Sequence, residues 1–261
     1  MTSGSKGGRT TYDPIERAKA FEKHAFRGDS RAYYRFRPAR WYGGIVTGDV
    51  TVCNLLCAFC WAGDEIRHHP MKVGKFYTPK QAFQRLCAIG EKKGYRLMRL
   101  SGQEPTIGRE HLLRLLGLVE GTKFNFILET NGILIGHVKD YAESLASFKN
   151  LHVRVSLKGA SEEEFSALTG AEPEGFSLQI KSLENLVSAG VSCHPSVMVS
   201  FSSPENVRKL GERLAAVAPF LKKEMEMEEL ILYPHVIKRL RKVNLDYQIG
   251  HDPGCVPKEL V

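Results

Sequence analysis

The chain has 261 residues, of which 43% are hydrophobic and 25% charged. This composition is typical of globular proteins and excludes disordered and fibrous classes. Its apolar runs are too short to cross a membrane, and residues 1–11 lack the apolar stretch of a secretory signal. We therefore expect a cytoplasmic protein with one main domain and no membrane partner.

The net charge of +8 is concentrated in residues 1–40, which hold ten Lys or Arg against four Asp or Glu. The arginines are Arg27, Arg31, Arg35, Arg37 and Arg40, and the aromatic residues beside them are Tyr33, Tyr34, Phe36 and Trp41. We predict a basic N-terminal helical extension, with a helix over Asp13–Arg27. Two interpretations stay open: a solvated face whose aromatics pack on the main domain, or a surface that contacts the phosphates of a nucleic acid or nucleotide.

From residue 44 onward, short β-branched runs alternate with amphipathic segments. The predicted strands are Gly44–Val52, Arg96–Leu100, Lys123–Leu128, Leu151–Leu157, Ser196–Phe201 and Glu229–Leu232. The predicted helices are Pro79–Lys92, Gly108–Val119, His137–Phe148, Ser161–Leu168, Phe176–Ala189 and Pro204–Val217. About six β/α units without a glycine-rich dinucleotide loop predict an α/β open barrel of parallel strands.

We expect this barrel to occupy residues 41–235, between the extension of residues 1–40 and a tail of residues 236–261. From Pro234 onward the sequence is basic and then loop-like. In such a sheet, chemistry gathers at the carboxyl ends of the strands. Residues that directly follow the strands are therefore the candidates for function.

Three of the six cysteines follow the first predicted strand at a spacing of four and then three residues: Cys53, Cys57 and Cys60. In a reducing compartment, this uneven spacing indicates metal binding instead of disulfides. Three thiolates on one loop can hold an iron-sulfur cubane and leave one iron open, whereas structural zinc normally takes four protein ligands. Zinc with an added ligand from His68, His69 or Cys255 stays an alternative. The other three cysteines are too scattered for a second cluster.

This Cys-x3-Cys-x2-Cys pattern, with the aromatic Phe59 before the last cysteine, resembles the radical S-adenosylmethionine (SAM) superfamily. The resemblance implies a partial (β/α)6 TIM-like barrel, one [4Fe-4S] cluster held by Cys53, Cys57 and Cys60, and SAM bound at the open iron. In that family one electron cleaves SAM to a 5′-deoxyadenosyl radical, which removes a hydrogen atom from a substrate. The expected protein is an iron-dependent oxidoreductase served by a reductant of the ferredoxin or flavodoxin type.

Other strand-end segments resemble the SAM-binding motifs of the same family. Ser101-Gly102-Gln103-Glu104-Pro105 resembles its Gly-Gly-Glu-Pro motif, in which the backbone and the Glu contact the SAM amino group; here Ser101 replaces the first Gly and Gln103 is an insertion. Glu129-Thr130-Asn131-Gly132 resembles the Asp-Thr-Asn-Gly segment of glycyl-radical-enzyme activating enzymes. Ser156-Leu157-Lys158 resembles their Asp-Leu-Lys, whose Lys pairs with the SAM carboxylate.

Met198, on the fifth predicted strand, and Tyr233, in a stretch similar to the family's Leu-Pro-Tyr-His, are further candidates. The SAM-binding residues implied by the resemblance are Phe59, Gly102, Gln103, Glu104, Pro105, Glu129, Asn131, Ser156, Lys158, Met198 and Tyr233. The sequence singles out no catalytic residue beyond these.

Three functions fit these observations. One is an activating enzyme that makes a radical on a partner protein. Another is a radical SAM modifier of RNA or of a nucleotide, indicated by the basic aromatic leader and by Trp61 directly after Cys60. A third is a non-enzymatic iron-sulfur or zinc binding module. The substrate is accordingly a protein, a small molecule or an RNA.

Overall fold

The protein is built on a nine-stranded sheet whose central strands are parallel. The computed structural model describes residues 11–257. The strands of this sheet are β1 (Phe26–Arg27), β2 (Ser30–Ala39), β3 (Ile45–Val50), β4 (Lys75–Tyr77), β5 (Leu97–Ser101), β6 (Asn125–Thr130), β7 (Leu151–Leu157), β8 (Cys193–Met198) and β9 (Glu226–Glu228). Strands β3, β5, β6, β7, β8 and β9 are neighbours in that order and pair in parallel. The predicted α/β fold with six parallel strands is confirmed.

Helices fill the connections between these strands. They are α1 (Pro14–Ala25), α2 (Asp64–His68), α3 (Pro70–Val73), α4 (Pro79–Lys93), α5 (Arg109–Val119), α6 (Ile133–His137), α7 (Tyr141–Leu145), α8 (Glu162–Thr169), α9 (Glu174–Ser188), α10 (Pro204–Val217), α11 (Pro219–Lys223) and α12 (Pro234–Val243). Local sequence sets several of their ends. The Asp13 side chain accepts a hydrogen bond from the Ile15 N–H at 2.6 Å, and Thr78 and Gln81 form a capping box at the start of α4. Within residues 11–257, none of the helices is long and apolar enough to span a bilayer.

The two faces of the sheet differ in character. Successive side chains of a strand point to opposite faces, so Leu100 and Leu128 are fully buried in the apolar core. The neighbouring positions Arg99, Glu129 and Arg154 line the concave side, around a cavity. Polar and charged side chains are thus placed inside the barrel, and the apolar side packs against helices.

The leader differs from its prediction after its first helix. The helix expected over Asp13–Arg27 is present as α1, but residues 30–39, expected within a helical extension, form the strand β2. This strand pairs antiparallel with β3, with Arg37 opposite Thr47, and β4 pairs with β2. Aromatic residues such as Tyr33 and Phe36 favour strands, and β2 supplies hydrogen-bond partners to the otherwise open edge of β3.

The end of the barrel also differs from its prediction. The last strand of the sheet is β9, whereas part of the predicted strand Glu229–Leu232 forms β10 (Leu230–Ile231), which pairs with β11 (Gly250–His251) in a separate small sheet. The basic segment that begins at Pro234, for which no helix was predicted, forms α12. Proline at the first turn of a helix costs no hydrogen bond, because that N–H has no partner within the helix.

Two elements in the middle of the chain also have bounds that differ from the predicted ones. The fifth strand, predicted over Ser196–Phe201, is β8 and begins before Pro195, a residue that the prediction treated as outside the strand. Of the helix predicted over His137–Phe148, only Tyr141–Leu145 is helical beyond His137, as α7, and α6 precedes it over Ile133–His137. Neither change moves a candidate site residue away from the carboxyl end of the sheet.

Candidate active site

The three cysteines lie at one cavity of about 850 Å³ at the carboxyl ends of the parallel strands. Strand β3 ends at Val50, two residues earlier than predicted, and Val52 has a φ of 62°. A β-branched residue in this region costs about 1–3 kcal/mol and persists only where the surroundings impose it. The strained turn directly precedes Cys53 and directs the cysteine loop across the mouth of the barrel.

The three thiols are free to bind a cluster. All three are free of disulfides, and burial raises the pKa of the Cys57 thiol to about 11, so bound iron is needed to stabilise the thiolate. Among the residues that the structure describes, no group of three or more His, Cys, Asp or Glu converges on one ion. In a [4Fe-4S] cubane each thiolate binds a different iron, so convergence on one point is not required.

Two buried arginines hold the cysteine loop through its main chain. Arg67 donates to the carbonyl oxygens of Leu56, at 2.9 Å, and Cys57, at 3.0 Å. Arg239 of α12 donates to the carbonyl oxygen of Cys60. These cations place positive charge beside the predicted position of the anionic cluster. Neither arginine was predicted from the sequence, because an arginine outside any motif gives no signal that it binds a loop distant in the chain.

Glu104 is the centre of a hydrogen-bonded network at the ends of β5 and β6. Its side chain is buried, and its carboxylate accepts hydrogen bonds from the Thr106 N–H at 3.0 Å, the Thr106 hydroxyl at 2.5 Å, the Thr130 hydroxyl at 2.7 Å and the Asn131 N–H at 2.8 Å. The expected contact of this carboxylate with the SAM amino group therefore competes with four protein donors. The geometry makes Glu104 a residue that positions the loops around the cavity.

The turn before Glu104 requires a glycine. Gly102 has a φ of 91°, and a Cβ there would lie 2.8 Å from the Tyr34 hydroxyl and 3.0 Å from Asp49 Cβ. Gly102 and Gln103 both line the cavity, whereas Pro105 does not. The Pro105 carbonyl oxygen instead accepts a hydrogen bond from the Arg31 guanidinium at 2.9 Å.

Asn131 links the segment after β6 to the cysteine loop. Its side-chain amide donates to Asn54 Oδ1 at 2.7 Å, one residue after Cys53. Its carbonyl oxygen accepts from Gln179 Nε2 at 2.6 Å. Gln179 is a fully buried residue of α9 that also donates to the Ser156 carbonyl oxygen and accepts from the Lys158 N–H. The sequence signal for Gln179 is a lone glutamine on an apolar helix face, and this residue was not among the predicted site residues.

Ser156 and Lys158 lie together on the far wall. Lys158 Nζ donates to Ser156 Oγ at 2.5 Å, and Ser156 Oγ donates to Glu228 Oε2 at 3.1 Å. Burial alone raises the pKa of the Glu228 carboxyl, but the positive charges of Arg154 and Lys158 outweigh burial and hold that pKa below its usual value. In the family's Asp-Leu-Lys motif, an Asp stands at the position of Ser156. In this protein, Glu228 on β9 supplies a carboxylate beside Lys158 instead.

The remaining candidates complete the walls of the cavity. Glu129 accepts a hydrogen bond from Arg99 at 2.5 Å. Phe59, Met198 and Tyr233 line the cavity, and Phe59 packs against Phe201 with ring centres 5.6 Å apart. With the exception of Pro105, every residue expected to bind SAM lines this cavity. Their contacts with SAM stay predictions.

Several charged residues inside the barrel were not among the predicted site residues. Arg154 donates to Glu226 at 2.7 and 2.8 Å and to Glu228 at 2.7 Å. The signal was present in the sequence, since a charged residue between β-branched neighbours, as in Val153-Arg154-Val155, is unusual in a buried parallel strand.

The arginines of the leader have separate roles. Arg31 is fully buried, and its guanidinium donates to the carbonyl oxygens of Glu104, at 2.8 Å, and Pro105. Arg31 therefore does not contribute to the phosphate-binding surface that the sequence left open for the leader, because its guanidinium is enclosed in the protein. Arg35 and Arg37 instead line the cavity.

Comparisons with known proteins agree with this geometry. The model of the radical SAM superfamily matches residues 49–214. The pyruvate formate-lyase-activating enzyme of Clostridium pasteurianum is 25% identical over 215 residues, which cover 79% of this chain and 82% of that enzyme. A probable GTP 3′,8-cyclase of Thermococcus kodakarensis is 27% identical over 135 residues, 52% of this chain and 40% of the cyclase.

A solved structure supports the fold independently. SuiB of Streptococcus suis, bound to its precursor peptide SuiA, has a TM-score of 0.57 and 18% identity, with 90% of this chain and 52% of SuiB covered. The chain thus spans about half the length of SuiB. Because the family model matches more than half of the sequence, the chain belongs to the radical SAM superfamily, whose enzymes use a [4Fe-4S] cluster and SAM.

Proposed function

We propose that this enzyme cleaves SAM by one-electron reduction and that the resulting radical removes a hydrogen atom from a substrate held in the barrel. With the cluster bound by Cys53, Cys57 and Cys60, the chemistry supplied is the reductive cleavage of SAM to methionine and a 5′-deoxyadenosyl radical. Transfer of one hydrogen atom then gives 5′-deoxyadenosine and a substrate radical. The observation that carries the proposal is the placement of all three cysteines at the cavity that the predicted SAM-binding residues line.

The chain's own residues prepare this chemistry. Gly102 and Gln103 offer their main chain to the SAM amino group, and Lys158 offers its ammonium to the SAM carboxylate. Phe59 and Met198 cover the cavity with apolar surface, which keeps water away from a reactive radical. A cavity of about 850 Å³ lies in the upper range of ligand sites, so it accommodates SAM and a second small molecule.

Two kinds of substrate each have support. Similarity to the Clostridium pasteurianum activating enzyme over most of its length favours activation of a partner protein. Partial similarity to a GTP 3′,8-cyclase favours a small molecule, and so do the charged side chains Arg99, Glu129 and Arg154 inside the barrel. RNA modification has less support as a function. That hypothesis depended on a basic surface formed by the leader, and Arg31 is buried and does not contribute to such a surface. We propose a ferredoxin- or flavodoxin-type protein as the electron donor.

The test is the formation of 5′-deoxyadenosine. Anaerobically reconstituted protein, reduced with dithionite and supplied with SAM, is expected to produce 5′-deoxyadenosine and methionine in equal amounts. The matched control is the same protein without reductant. If reduced protein with a full complement of iron and sulfide yields no 5′-deoxyadenosine, the proposed cleavage is wrong.

A further inference from the structure

The charges inside the barrel are unevenly compensated. Arg99 is paired with Glu129, and Arg154 is paired with both Glu226 and Glu228. The side chains of these two arginines are only 7% and 8% exposed. The charges of Arg99 and Arg154 are neutralised by these carboxylates. We therefore assign these two arginines to the wall of the cavity and not to the binding of a charged ligand.

Arg35 and Arg37 are arranged differently. They stand at alternate positions of β2 and therefore on the same face, and both donate through Nε to the carboxylate of Asp49, which is fully buried. Two guanidinium groups share one carboxylate, so the group has a formal charge of +1. Their side chains are 44% and 25% exposed, and the terminal nitrogens of Arg35 lie outside the hydrogen bonds with Asp49.

The ring of Trp61 adjoins both cations. The guanidinium carbons of Arg35 and Arg37 lie 5.4 and 5.7 Å from its centre, within the range of cation–π contact. Trp61 directly follows Cys60 and is 37% exposed. The three side chains line the same cavity as the cysteines and form an electropositive, planar surface beside the position of the cluster.

We propose that the substrate of the radical reaction is a small anionic molecule, and that its phosphate or carboxylate group binds Arg35 and Arg37 in this cavity. Asp49 fixes the two guanidinium groups from the buried side. Arg37 donates to it through Nη2 as well as Nε, so the terminal nitrogens of Arg35 and Nη1 of Arg37 are the donors that face an anion. Paired guanidinium groups match the oxygens of phosphate and carboxylate. This inference rests on the proposed function and specifies its substrate class.

The experiment compares anion binding by three proteins. Inorganic pyrophosphate and succinate are titrated calorimetrically into the reconstituted wild-type enzyme, into R35Q/R37Q and into R85Q/R241Q. The control pair lies on exposed positions of α4 and α12 and removes the same two charges. SAM is present in excess throughout, so that the site for its own carboxylate is filled. Iron content verifies that each protein holds its cluster.

Wild type and R85Q/R241Q are expected to bind at least one probe equally, and R35Q/R37Q is expected to bind that probe about tenfold or more weakly. Preference for pyrophosphate identifies a phosphate substrate, and preference for succinate identifies a carboxylate. If wild type binds neither anion, or if both double variants bind alike, the inference is wrong and a partner protein becomes the better candidate. Formation of 5′-deoxyadenosine by the wild type, measured separately, reports on the proposed function alone.

Discussion

The carboxylate of Glu104 accepts a hydrogen bond from the main-chain N–H of Asn131 at 2.8 Å. This contact joins the turn after β5 to the turn after β6, and these two turns carry five of the eleven predicted SAM-binding residues. Three further donors complete the coordination of the same carboxylate. The two loops are therefore held in register by one buried charge.

Glu104→Gln is expected to destabilise the protein. The new amide places an NH2 group against buried donors, so at least one donor loses its acceptor at a cost of about 1–3 kcal/mol. Urea denaturation of the variant and of Glu110→Gln, an exposed control on α5, measures the difference in the free energy of unfolding. Equal stability of the two variants contradicts the role assigned to Glu104.

Gln179→Met is expected to destabilise the loops that carry Asn131, Ser156 and Lys158. It removes the side-chain partner of three main-chain groups, namely the carbonyl oxygens of Asn131 and Ser156 and the N–H of Lys158. We expect a loss of about 1–3 kcal/mol in the free energy of unfolding and weaker SAM binding by the reconstituted enzyme. Gln84→Met on the exposed side of α4 is the control. SAM affinity equal to that of the control shows that Gln179 does not position the site.

His111 makes the stability of the leader's packing dependent on pH. Burial lowers the pKa of this side chain to about 4, and its ring lies 2.9 Å from the Tyr33 hydroxyl of β2. The unfolded chain binds a proton on His111 more readily than the folded protein does. The stability that the neutral His111 contributes is therefore fully present above pH 6.5 and is lost as the pH falls toward 4. The total loss is about 3 kcal/mol.

His111→Gln is therefore expected to flatten the decline of unfolding free energy between pH 6.5 and 4. His137→Gln, at an exposed position, keeps the wild-type slope. Thermal or urea unfolding across this range gives both slopes. A wild-type slope in His111→Gln rejects the assignment.

Cys57→Ala is expected to abolish cluster assembly. Wild type takes up about four iron and four sulfide per chain, whereas the variant retains only two of three thiolates on the loop. Cys255→Ala, which changes an exposed cysteine, keeps full iron content. A Cys57→Ala protein that still holds a complete cluster and forms 5′-deoxyadenosine overturns the ligand set.

The sequence was most informative where local chemistry determines structure. The spacing of Cys53, Cys57 and Cys60 and the alternation of strands with helices predicted the fold and the place of the site. Glycine at position 102 likewise follows from a local requirement, since its φ of 91° is a left-handed conformation that favours glycine. Such features depend on neighbours in the chain, which a sequence displays directly.

Contacts between distant segments were not visible in the same way. The strand β2 was expected within a helical extension because its arginines suggested a solvated face, yet pairing with β3 decides its structure. Arg31 illustrates the same limit. Its guanidinium donates to the carbonyl oxygens of Thr51, Glu104, Pro105 and Ile107, which are all far from it in the chain. Arg154 and Glu226 are 72 residues apart and meet only because β7 and β9 flank β8.

The central claim is that Cys53, Cys57 and Cys60 hold a [4Fe-4S] cluster with one iron open to SAM. The most direct test is the electron paramagnetic resonance spectrum of the dithionite-reduced, reconstituted protein, recorded with and without SAM. We predict a signal from a reduced [4Fe-4S] cluster whose g-values change when SAM is added. The absence of such a signal, or a signal that SAM leaves unchanged, would contradict the account.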